Sequence, residues 1–132
     1  MLKDLERLCG LAADYLAQSR VVAGLVRRGE LEALEDARER LRRAFAAFQG
    51  WHHRLLPRLE ELAGRDGELM ARLRRDLTEA LELDRRAVRA LEEMRRRTSR
   101  DLARLKQGRR LVQAYRPVPP AGAGPDRLSR LG

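Results

Sequence analysis

Along most of the chain apolar residues recur at steps of three and four, the spacing of one helical face. In the first run Leu2, Leu5, Leu8, Cys9, Ala12, Leu16, Ser19, Val22, Ala23 and Val26 form such a face, which predicts a helix from Leu2 to about Arg28. Arg27 and Arg28 followed by Gly29 give a helix stop: basic residues suit the negative end of the helix dipole, and glycine tolerates the left-handed conformation that ends many helices. Glu30, Glu32, Glu35 and Asp36 then favour a new helix start.

The second run, Leu31, Leu34, Ala37, Leu41, Phe45, Phe48, Trp51, Leu55, Leu59 and Leu62, predicts a helix over about 30 to 63. Pro57 lies inside it and lacks a backbone donor, so either the helix kinks near His53 or two shorter helices meet there; Gly50 softens the region further. Gly64 to Gly67 reads as a loop, with Asp66 placed to cap the next helix. The third run passes through Leu69, Leu73, Leu77, Leu81, Asp84, Val88, Leu91, Met94, Thr98, Leu102, Leu105, Gly108, Val112 and Tyr115. Unbroken, it would span on the order of 70 Å. Asp84 and Thr98 are polar on an apolar stripe, and the expected break lies around residues 82 to 86, which would make four helices. Beyond Arg116 the Pro, Gly and Ala content does not support a helix, and a disordered or weakly docked tail is expected.

The fold expected is therefore all-α: an antiparallel bundle of three or four long helices over residues 1–116, followed by a flexible Pro/Gly-rich tail over 117–132. Composition agrees. Only Tyr15, Phe45, Phe48, Trp51 and Tyr115 are aromatic among 132 residues, poor material for sheets. Cys9 is the single cysteine, so no disulfide can form within the chain and a cysteine zinc cluster is excluded. No apolar stretch approaches the roughly 18 residues of a membrane span. A soluble, cytoplasmic, unprocessed chain without membrane insertion is the expectation.

The chain carries 29 Lys and Arg against 20 Asp and Glu, a net charge of +9. Residues 85 to 116 hold 12 of the basic residues and 3 of the acidic ones, so the whole surplus belongs to that stretch. A helix this basic attracts phosphates, anionic lipid or an acidic protein. Aromatic interleaving and DNA-reading motifs are absent, which disfavours nucleic acid, and a bundle would use up the apolar stripe that a membrane surface needs.

Catalytic chemistry is not readable. His52 and His53 are adjacent on a helix, point about 100° apart and cannot chelate one metal together. The hydroxyls are few, and no nucleophile, base and orienting group stand at a useful spacing. Gly64 and Gly67 lack the Lys and hydroxyl residue of a phosphate loop. The Glu and Asp residues alternate with arginines at helical spacing, which is the chemistry of a solvated helix face. The expectation is no enzyme, no cofactor and no metal.

Near the end of the third run stands ARLKQGRRLVQAYRP, where Leu105, Gly108, Arg109, Arg110, Leu111, Ala114 and Tyr115 form a leucine, glycine–basic, alanine–tyrosine pattern. This resembles the C-terminal signature of the small flagellar export chaperones, the FliT-like family first and the FlgN-like family second. The upstream LRRDLTEALELDRRAVRALEEMRRRTSRDL and the GELEALEDARERL phrase are similar to that family's layout, so the resemblance covers about residues 2 to 116. It implies a cytosolic chaperone for flagellar type III secretion, which binds the C-terminal helical segment of a filament-cap or hook–filament junction protein and prevents premature self-association. Export-apparatus components are implied as further partners. The chain departs from the family in being strongly basic where many members are acidic.

The residues alone suggest how a client would be held. Val88, Leu91, Met94, Leu102, Leu105, Val112 and Tyr115 would form an apolar groove for an amphipathic client helix. Arg95, Arg96, Arg100, Arg104, Arg109 and Arg110 would face acidic client residues and set orientation. The alternative is a basic helical nucleic-acid-binding or ribosome-associated protein. A coiled-coil subunit forming a homodimer is a third reading.

Overall fold

The computed structural model describes residues 2–115, and these are all-α with no strand. The elements are α1 (Leu2–Arg28), α2 (Leu34–Leu55), a 3-10 turn (Leu56–Arg58), α3 (Leu59–Arg65) and α4 (Gly67–Ala114). The expected flexible tail lies outside the described residues. The chain divides into a unit up to Met94 and a second unit from Arg95.

The first unit is a helical bundle. The start of α1 packs Leu5 and Leu8 against Phe48 and Leu55 of α2, Leu62 of α3 and Leu73 of α4. Its end packs Val22, Leu25 and Val26 against Leu34 and Ala37 of α2 and Ala87 of α4. These pairings make α2 antiparallel to α1 and make the first part of α4 run in the direction of α1. Leu5, Leu8 and Leu62 are almost fully buried, each contributing about 1.5–3 kcal/mol relative to exposure.

The helix ends follow local chemistry. Gly29 takes φ +71°; its N–H bonds to Val26 O at 3.1 Å and the Glu30 N–H to Leu25 O at 3.0 Å, the paired bonds of a Schellman cap. Those bonds turn the chain before a second helix can begin. As a result α2 starts at Leu34 rather than near residue 30, and Leu31 is exposed instead of lying on the apolar face.

At Pro57 the chain resolves the choice the sequence left open: α2 ends at Leu55, a 3-10 turn holds Pro57, and α3 follows. The tighter turn accommodates the missing donor. The expected loop over 64 to 67 shrinks to Asp66, whose Oδ1 accepts the Leu69 N–H at 3.1 Å and caps α4.

Two expectations for α4 are corrected. No break occurs at residues 82 to 86, because α4 is one helix there. Asp84 is no defect: it accepts the hydroxyl proton of buried Tyr15. The inward face is also turned relative to the predicted stripe. Leu73, Ala80 and Ala87 are buried, whereas Leu81 and Val88 are exposed. Large side chains on α1, among them Tyr15, Leu16, Val22 and Leu25, meet small alanines on α4, which fills the space without overpacking.

Polar contacts supplement this packing between α1 and α4. Arg20 reaches Glu79 with two bonds of 2.9 and 3.0 Å from one guanidinium nitrogen. Both side chains are about half exposed, which limits the pair to at most about 1 kcal/mol. The Cys9 thiol donates to the Leu69 carbonyl at 3.4 Å, and burial raises its pKa above the usual thiol value.

Candidate functional site

The features that single out a surface lie on α4, and they differ between the two units. In the first unit Val88 is exposed at 54%, while Leu91 packs partly buried against the Val22–Val26 cluster and Met94 is half-buried. Leu91 therefore serves the core with part of its surface.

In the second unit every described residue of α4 from Arg95 onward is exposed. Leu102, Leu105 and Val112 all keep more than half of their surface in water, and Tyr115 keeps 83%. Leu111, absent from the groove residues expected from sequence, is exposed as well. It stands directly before Val112 in the same phrase, which was the signal available for it.

An exposed helix with four large aliphatic residues loses the burial that normally stabilises them, so the arrangement needs a physical reason. A shallow groove on this surface is bordered by Asp101, Arg104, Leu105, Gly108, Arg109, Val112 and Gln113. Gly108 sits in the middle of it, and a Cβ added there would meet nothing within 4 Å. Glycine costs a helix interior about 1 kcal/mol relative to alanine; here it leaves a notch in which another chain can approach the backbone closely.

The charges line the same segment. Arg95, Arg96, Arg100, Arg104, Arg109 and Arg110 are all exposed. With Arg97 and Lys106 they make eight basic residues between 95 and 114, against Asp101 alone as acid, so the segment carries a strongly positive field. Among the described residues neither Arg95 nor Arg109 has an ion-pair partner.

The remaining polar groups of the bundle are explained by packing. His52 stacks on Phe48 with ring centroids 5.6 Å apart, and His53 is exposed. The guanidinium groups of Arg7 and Arg54 lie over the Trp51 ring, at 5.0 and 5.6 Å from its centroid. Among the described residues no group of three or more His, Cys, Asp or Glu is placed to hold a metal ion. No described helix is long and apolar enough to cross a membrane.

The chain matches no known protein-family model, no curated protein and no solved structure.

Proposed function

We propose that this chain is a non-enzymatic chaperone of flagellar type III export, FliT-like in character. It would act in the cytoplasm and bind the C-terminal helical segment of a filament-cap or hook–filament junction protein. The observation that carries the reading is a coincidence of two independent features. The phrase on which the family resemblance rests also carries Leu105, Leu111, Val112 and Tyr115, all of whose side chains stand in water.

A chaperone of this kind must offer apolar surface to a client that would otherwise self-associate. Laying a client helix along Leu102, Leu105 and Val112 buries apolar area on both partners, a helix-in-groove mode of recognition. Arg104 and Arg109 border the same groove as Leu105 and Val112 and favour an acidic client, affecting encounter rate and orientation more than affinity.

The test is binding of the purified chain to purified filament-cap and hook–filament junction proteins, with flagellin as control. Stable complex formation with a cap or junction protein, lost when its C-terminal segment is removed, is the expected result. Failure to bind either class, together with salt-sensitive capture of RNA or DNA, would replace this reading with the nucleic-acid one.

A further inference from the structure

The exposed segment of α4 carries a seven-residue pattern with regular interruptions. Arg95, Leu102 and Arg109 stand seven apart, and three residues after each come Thr98, Leu105 and Val112. Positions seven apart return to nearly the same side of a helix. Arg95 and Arg109 therefore share the face of Leu102, about 21 Å apart at the helical rise of 1.5 Å per residue. The groove bordered by Asp101, Arg104, Leu105, Gly108, Arg109, Val112 and Gln113 sets Arg109 on the same surface as the apolar side chains of Leu105 and Val112.

An arginine on an apolar seam discriminates between occupants. A purely apolar helix laid over it would strip water from the guanidinium and return nothing, whereas a carboxylate opposite it gains a charge-assisted, forked hydrogen bond. A second copy of this segment brings eight basic residues against eight with one acid on each side, so repulsion opposes that pairing. Charge complementarity selects an acidic partner.

We propose that this surface receives an acidic amphipathic helix carrying two carboxylates fourteen residues apart on its apolar face. One would sit against Arg95, the other against Arg109, with an apolar residue midway over Leu102. The inference rests on the client-helix reading above and narrows it, because the two arginines fix the register of the client.

Three synthetic helical peptides of equal length test it by fluorescence anisotropy with the full chain. The first has two Glu fourteen residues apart on a leucine seam, the second has the same composition with the two Glu seven apart, and the third has two Lys fourteen apart. Each correctly placed ion pair is expected to tighten binding roughly three- to tenfold, so the first peptide binds tightest and the third weakest. In an Arg95→Glu, Arg109→Glu variant of unchanged helical signal the order reverses in favour of the Lys peptide. Equal affinity for all three peptides overturns the register and leaves the client surface standing. Binding of none of them, with capture of a homopolymeric RNA, overturns both.

Discussion

The Tyr15 hydroxyl of α1 donates a hydrogen bond to the Asp84 carboxylate of α4. Tyr15 is 4% exposed and its ring meets Phe45 at a centroid distance of 5.1 Å. A phenol and a carboxylate thus meet beside buried Ser19 and apolar side chains, and the carboxylate accepts the phenol's proton. Breaking one partner alone should cost more than the pair is worth. Tyr15→Phe and Asp84→Leu are each expected to lower unfolding stability by about 1–2 kcal/mol. The double variant should lose less than the sum, which urea denaturation of the four proteins measures.

The same junction sets an alkaline limit. Burial, followed by the hydrogen bond to Asp84 and its negative charge, raises the Tyr15 pKa well above the ordinary phenol value. Ser19 acts in the opposite direction, although its buried Oγ makes no hydrogen bond of good geometry. A phenol with a raised folded pKa holds its proton more tightly in the folded state, so its contribution is complete below about pH 10 and declines above it. Stability measured from pH 9 to 12 should fall less steeply in Tyr15→Phe than in the parent chain.

The turned face of α4 makes adjacent residues behave oppositely. Ala80 is fully buried between helices while Leu81 is 47% exposed. Ala80→Leu should cost about 1–3 kcal/mol through overpacking, and Leu81→Gln no more than about 0.5 kcal/mol. Thermal unfolding of the two variants compares them directly. Equal effects would mean that the inward face is assigned to the wrong residues.

Gly29 holds the one positive φ among the described residues. Gly29→Ala is expected to lower stability by about 1 kcal/mol, since the Cβ disfavours this conformation while open space around it rules out a clash. Gly108, helical and equally uncrowded, should respond in the other sense: Gly108→Ala should slow amide exchange of the surrounding turns.

These contrasts show what could be read from the residues. The α1 boundaries, the glycine stop after Arg28, the cap at Asp66 and the disruption at Pro57 each follow from a local chemical rule, and each is present. The inward face of α4 was not legible, because leucine at 81 and valine at 88 continue the same stripe as leucine at 77. Only the volume of Tyr15, Leu16 and Val22 across the interface selects Ala80 and Ala87 instead. The role of Asp84 on that stripe was not legible because its partner, Tyr15, lies 69 residues away. At the candidate site the basic and apolar residues stand in the sequence, while their exposure was not legible, because an apolar stripe has the same spacing whether it is covered or bare.

The central claim is that apolar residues of α4 hold the client and arginines orient it. The direct measurement is the affinity of the purified chain for a filament-cap C-terminal segment at about 0.15 M and about 1 M salt, where the screening length drops from about 8 Å to about 3 Å. The account predicts that binding survives high salt and is abolished by Leu102→Ser with Leu105→Ser, the helical signal remaining intact. Binding lost at high salt, or unchanged in that variant, would contradict it.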